Sequence, residues 1–188
     1  ANPIVQRNIA ALREAGYRFI EPEEGHLACG TSGKGRMASP ERIAAVLETL
    51  REQDLKGLKI VVTAGPTREA IDPVRFMTNH SSGKMGYAIA RQAANRGADV
   101  VLVSGPSAQA KPDGVTLVKT ESARDMFEAV KAHYDAADIV IKAAAVADYR
   151  PKTVAVQKIK KSDGDMVLEL ERNPDILAWL GEHKNNQI

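Results

Sequence analysis

The period of hydrophobic and polar positions changes several times along the chain, and each change marks an element. From Pro3 to about Ala15, Ile4, Val5, Ile9 and Leu12 recur at helical spacing. Asn2 stands where a cap is needed, Pro3 is tolerated at the first helical position, and Gly16 stops the run. A short apolar stretch at 17–20 predicts a strand. Residues 25–37 carry Gly25, Gly30, Gly33 and Gly35 and predict an irregular, mobile loop. Ser39 and Pro40 open a second helix reaching about Leu50, and the charged stretch 51–57 predicts a linker.

Beyond the linker, K-I-V-V-T-A at 59–64 is a β-branched run closed by Gly65, as in a buried parallel strand. A helix is predicted from Gly83 to Gly97, with Met85, Ala88, Ile89 and Ala93 on one face. A second strand follows at 99–103, a helix at about 122–136 and a third strand at 138–141. Strand alternating with helix predicts an α/β fold, a Rossmann-like three-layer parallel sheet with right-handed crossovers. Ligands of such sheets lie beyond the carboxyl ends of the strands, here Gly65 onward, 104–106 and 142 onward. Residues 166–171 alternate as a half-exposed strand, and Asn173-Pro174-Asp175 opens a last helix with Asn173 as its cap. Only about four strands are convincing, so the sheet is expected to be unfinished.

Composition narrows the partners. Net charge is +2, too small for a polycation that binds nucleic acid or a membrane surface. Aromatic content of 4% argues against a base-stacking single-strand binder. The single cysteine, Cys29, excludes an intrachain disulfide and fits a reducing cytosol. No apolar run reaches the roughly 18 residues of a membrane span.

Three segments carry candidate chemistry. About 18 residues separate the first strand past the linker from its helix, against the usual 2–6 or so. This loop holds T-A-G-P-T-R-E, D-P-V-R and N-H-S-S-G-K-M-G, with Ser81, Ser82 and Gly83 at the helix start, where free N–H groups favour anions. The bland alternative is a long solvated loop with a Ser cap. The loop is neither a Walker A motif nor a G-x-G-x-x-G fingerprint. Next, A-A-A-V-A-D-Y-R-P at 143–151 either leaves room for a flat group, with Asp148 taking a ribose hydroxyl, a base amine or a metal, or packs tightly into a turn. Lys158-Ile159-Lys160-Lys161 is either a solvated face or a neutraliser of triphosphate charge. Cys29, amid glycines and near Lys34 and Arg36, is either a small buried hydrophobe or a reactive thiol.

Taken together and in order, these strings resemble phosphopantothenoylcysteine synthetase, the phosphopantothenate–cysteine ligase family. Upstream, L-A-C-G-x-x-G-x-G-R-M resembles the substrate flap of phosphopantothenoylcysteine decarboxylase. The two are fused in this order in many bacteria. The resemblance implies that 1–50 is the C-terminal part of a flavoprotein-type decarboxylase domain, 51–57 a linker, and 58–188 a ligase domain incomplete at its C-terminus. It implies a coenzyme A pathway enzyme that activates 4'-phosphopantothenate with CTP and Mg2+, then joins it to cysteine. FMN would serve the decarboxylase half, most of which is missing, so the chain is expected to be incomplete for both activities. By motif match, Cys29 is the flap proton donor and Asn79 holds the acyl-nucleotide. Gly65, Ala144, Ala145, Asp148 and Lys158 contact the nucleotide, while Arg75, Ser81, Ser82, Gly83 and Lys84 receive substrate or phosphate. No protein metal ligands are assigned. A cytoplasmic homodimer formed through the ligase domain is also implied. The rival readings are an NAD(P)-dependent oxidoreductase and a non-catalytic nucleotide-binding module.

Overall fold

The computed structural model describes residues 2–26, 30–49, 53–161 and 164–188. The chain divides into two compact units, Ala1–Arg51 and Glu52–Ile188. The first unit contains α1 (Pro3–Glu14), β1 (Glu23–His26), β2 (Ser32–Arg36) and α2 (Pro40–Thr49). Asn2 caps α1 by accepting from Ile4 N–H at 2.9 Å, as its sequence predicts. The apolar stripe of α1 forms, with no residue of the helix buried and Ile9 half-buried.

Two expectations fail in this unit. Residues 17–20 have no regular structure, because Tyr17 and Phe19 are exposed and no strand lies alongside to accept their backbone. The glycine-rich stretch is not wholly irregular, since β1 and β2 pair antiparallel with Gly25 opposite Gly33 and His26 opposite Ser32. Glycine accepts an extended backbone as readily as a turn, so its density alone does not exclude a ribbon. Cys29 lies outside the described residues.

The second unit runs β3 (Lys59–Ala64), β4 (Arg68–Ala70), β5 (Phe76–Thr78), α3 (Lys84–Asn95), β6 (Asp99–Ser104), β7 (Val115–Lys119), α4 (Ala123–Tyr134), β8 (Ile139–Lys142), β9 (Tyr149–Pro151), β10 (Leu170–Arg172) and α5 (Ile176–Glu182). Its main sheet has the order β7-β6-β3-β8, all parallel. Alternate residues of the central strands face opposite layers. Ile60, Val62, Val100 and Leu102 pack with Tyr87, Ala90 and Ala93 of α3, while Val61 and Val103 pack with Met126 and Val130 of α4 and Ile176 and Leu180 of α5. This is the three-layer α/β sheet that the alternation predicts.

Several short elements escape the periodicity. β7 supplies a fourth parallel strand, and the long loop after β3 folds into the β4–β5 hairpin, with Arg68 stacked over Phe76. The strand expected at 166–171 forms only at β10, paired with β9. At the last helix Asp175, not Asn173, is the N-cap, accepting from Ala178 N–H at 3.0 Å. Asn173 is drawn away because its side chain bonds the carbonyl of Ala147.

Helix α3 presses onto β3 through Gly86, where an added methyl would lie 2.5 Å from the Ala64 methyl and 2.8 Å from the Thr63 carbonyl oxygen. Alanine ordinarily improves a helix by about 1 kcal/mol over glycine, but overpacking costs roughly 1–3 kcal/mol. Gly86→Ala is therefore expected to lower the urea midpoint. An unchanged or raised midpoint would contradict this packing.

Candidate functional site

The order of the sheet places a topological switch between β3 and β8, since the chain leaves β3 toward β6 and returns on the other side. Here the two post-strand segments are laced together. The buried Thr63 hydroxyl accepts from the N–H groups of Ala143 and Ala144, each at 3.2 Å. Ala145 N–H donates to the Gly65 carbonyl at 2.9 Å, Thr67 N–H donates to the Ala145 carbonyl at 3.3 Å, and Ala147 N–H donates to the buried Thr67 hydroxyl at 3.0 Å. Over this seam lies the exposed Asn79, whose amide donates to the carbonyls of Ala145 and Val146 at 3.2 and 3.4 Å.

Asp148 emerges next, exposed, and its carbonyl accepts from Asn173 N–H at 2.8 Å. A cavity of about 340 Å³ opens there between Lys142, Ala147, Asp148, Asn173 and Asp175. Lys142 is half-buried and has no ion-pair partner among the described residues. Burial pushes its pKa below the ordinary lysine value, while Asp175 and Asp148 pull the other way. Lys142, Asn173 and Asp175 were missed as site residues. The rule that ligands sit past the strand ends points to 142 onward without giving Lys142, the last residue of β8, a role.

The helix start is built differently from a serine cap. Gly83 is the N-cap of α3 at φ 77°, and its N–H donates to the Ser81 hydroxyl at 3.4 Å. The Ser82 carbonyl accepts from the Ser107 hydroxyl at 2.8 Å, and Lys84, exposed, begins the helix. A side chain on Gly83 would come within 3.2 Å of the Gly65 nitrogen, and one on Gly65 within 3.1 Å of the Gly105 carbonyl. The turns after β3 and β6 and the entry to α3 therefore meet backbone to backbone. Ser104 stands in register with Ala64, so Gly65, Ser104 and Ala144 share one end of the sheet.

Arg75 and Lys158 form a second group. The Asp72 carboxylate, with no exposed side-chain surface, takes Arg75 at 3.0 and 2.5 Å and the backbone N–H groups of Val74, Arg75 and Ile159. Arg75 also donates to the Ile159 carbonyl at 2.9 Å. The Arg75 charge is thus already matched within the chain. By contrast Lys158, Lys160 and Lys161 are exposed and form no ion pair among the described residues. With Arg75 they border an open cavity of about 800 Å³. No group of three or more His, Cys, Asp or Glu residues able to hold a metal occurs among the described residues, and no helix there is long and apolar enough to cross a membrane.

Such a parallel sheet, with its polar seam at the switch, defines an α/β domain of Rossmann-like architecture with a ligand cleft at the strand ends. Residues 55–188 match the DNA/pantothenate metabolism flavoprotein C-terminal domain, and the chain belongs to that family. The coenzyme A biosynthesis bifunctional protein CoaBC of Bacillus subtilis is 55% identical over the whole chain, which covers 47% of that protein. The CoaBC protein of Borreliella burgdorferi is 40% identical, again over the whole chain and 49% of its own length. The chain thus spans about half the length of the curated relatives it matches. A crystal structure of the C-terminal domain of a CoaBC protein superposes with a TM-score of 0.65 at 59% identity, covering 73% of this chain and 64% of that one. The DNA/pantothenate metabolism flavoprotein from Streptococcus pneumoniae gives 0.57 at 27% identity, covering 67% and 65%.

The Asp72 cluster predicts a pH dependence. The Arg75 side chain, followed by the Val74, Ile159 and Arg75 backbone N–H groups, holds the Asp72 carboxyl well below its usual 3.8 against the opposing effect of burial. A depressed folded pKa gives stability that is complete above the ordinary value and drains away as pH falls toward the folded one. The urea midpoint of Asp72→Asn is therefore expected to trail wild type at neutral pH, with the gap narrowing below about pH 4. A gap independent of pH would refute the assignment.

Proposed function

We propose that residues 58–188 are the nucleotide-binding core of a phosphopantothenate–cysteine ligase, and that 1–50 are the C-terminal part of its fused phosphopantothenoylcysteine decarboxylase. The whole would be a cytoplasmic enzyme of coenzyme A biosynthesis. Membership of the pantothenate flavoprotein family and the likeness to CoaBC proteins support the reading. The observation that carries it is Asn79 bonded across the switch to Ala145 and Val146, next to the cavity at Asp148.

In the proposed reaction the carboxylate of 4'-phosphopantothenate attacks the α-phosphorus of CTP, and pyrophosphate leaves. The amine of cysteine then attacks the acyl carbon and expels CMP. The small side chains of Ala144 and Ala145 leave room beside the seam for a flat base or a ribose. Asp148, which forms no side-chain hydrogen bond or salt bridge among the described residues, offers an acceptor to a base amine or ribose hydroxyl. Asn79 would hold the activated acyl group. Lys158, and Lys84 with the first-turn N–H groups of α3, would offset the charge of the two phosphorylated substrates. Ser81, Ser82 and Gly83 shape that turn, and Gly65 lets it approach the sheet. Arg75, matched by Asp72, contributes less free charge than its motif suggests. Mg2+ entering with CTP would take most of its ligands from the phosphates. The described residues of the first unit bury only Ala38 and do not by themselves wall a flavin, so no step is assigned to FMN. A homodimer through the ligase domain completes the proposal.

Asn79→Asp in the full-length protein places a carboxylate beside a phosphate-bearing intermediate and removes the donor to Ala145. Amide formation is expected to slow more than nucleotide activation. Rapid quench with labelled CTP and cysteine should then show the acyl-nucleotide building up. Partitioning equal to wild type would overturn the role of Asn79.

A further inference from the structure

Between β9 and β10 the chain leaves the hairpin at Lys152 and rejoins it at Glu169, where Lys152 N–H donates to the Glu169 carbonyl at 2.9 Å. The strap between them has no regular structure in its described residues. It is tied to the turn after β4 in two places. Ala155 N–H donates to the Ile71 carbonyl at 3.0 Å, and Ile159 engages Asp72 and Arg75 with both its N–H and its carbonyl. Past Ile159, no bond from the described strap residues 160, 161 and 164–168 to the rest of the unit is formed. The second fastening is therefore the one adjoining Lys158.

Its centre is chemically unusual. One buried carboxylate receives five hydrogen bonds, two from the Arg75 guanidinium and three from backbone N–H groups. Two oxygens offer about four lone-pair sites, so the group is saturated. An amide in its place would turn an NH2 toward donors in either orientation. Ile159 and Asp72 are far apart in sequence, so the bond between them fixes the strap rather than the local turn.

We propose that Asp72 is a positioning residue for nucleotide binding, acting through Ile159 to hold Lys158 against the site. The inference rests on the ligase reading above, in which Lys158 meets the phosphates. Asp72 touches no substrate. It spares the strap the ordering entropy that free lysines would otherwise lose when the nucleotide binds.

The test uses full-length protein, calorimetric titration with CTP, and amide hydrogen exchange. Lys158→Ala is expected to weaken CTP binding roughly tenfold to hundredfold, the loss of one charge-assisted contact. Asp72→Asn is expected to weaken it by a similar factor and to speed exchange at Ile159. Adding Lys158→Ala to Asp72→Asn should cost little more than either alone, since both remove the same contact. Asp72 is buried, so Ile159→Pro serves as a second variant. It removes the strap's donor without altering the sequence of the 72–75 turn, also confines Lys158 to extended backbone, and should reproduce the loss. Unchanged CTP affinity in both variants, or losses that multiply in the double mutant, would overturn the proposal. If wild type failed to bind CTP, the ligase reading would fall with the role in binding. Exchange at Ile159 would then decide alone whether Asp72 fastens the strap.

Discussion

A buried hydroxyl at the end of the central strand sets the geometry of everything above the sheet. Thr63 is wholly enclosed, and its oxygen takes the first two N–H groups after β8. Ala143 N–H is shared between that hydroxyl and the Thr63 carbonyl at 3.3 Å, whereas Ala144 N–H leaves the strand with the hydroxyl as its acceptor, and left unpaired it would cost about 1–3 kcal/mol. By accepting both, Thr63 turns the chain across the switch rather than away from it. Thr67 repeats the device one step on with Ala147. Valine at either position would keep the packing volume and lose the acceptor, which is why a β-branched residue with a hydroxyl stands there.

That seam explains the small residues around it. Ala143 to Ala147 run beside the loop after β3 with main-chain bonds in both directions, so no large side chain is needed to hold them. The glycines at 65, 83 and 105 serve the same end, since three turns must approach at backbone distance. A side chain on Gly105 would meet the Pro66 carbonyl oxygen at 1.8 Å. These glycines are needed for chain-to-chain contact, and that contact fixes where the N–H groups of the α3 entry lie.

What the sequence made legible follows from which interactions are local. β3, α3, β6, α4 and β8 each repeat their pattern within a dozen residues, so they show in the order of amino acids. Even so, α3 buries Gly86, Tyr87, Ala90 and Ala93 and leaves Met85 and Ala88 of the expected face exposed. Segments held by distant partners do not show. β7 is five residues beside β6, and the β4–β5 hairpin hides in a loop whose polarity suits solvent as well as a ribbon. Asn173 looked like a cap because its local context is right, but a carbonyl 26 residues earlier claims its side chain. The same holds at the site. Asn79 and Asp148 were visible through motif, whereas Lys142 reads only as the end of a strand, with nothing in its neighbours to show that it lines a cavity. The Asp72–Ile159 bond spans 87 positions and leaves no periodic trace.

The Asp72 cluster also bears on why a buried charge persists there. An ion pair removed from water seldom adds stability, and an apolar replacement of equal volume is often neutral or better. Here the carboxylate does what an apolar residue cannot, because it receives donors from two segments at once and so fixes their register. The Arg75 guanidinium remains partly exposed, which moderates the desolvation penalty. Its pairing with Asp72 leaves the turn locally close to neutral. The positive potential of this face consequently comes from Lys158, Lys160 and Lys161 on the strap, beyond the fastening. A turn whose carboxylate and guanidinium offset each other thus holds the strap at Ile159, next to Lys158, while the strap lysines themselves remain solvated.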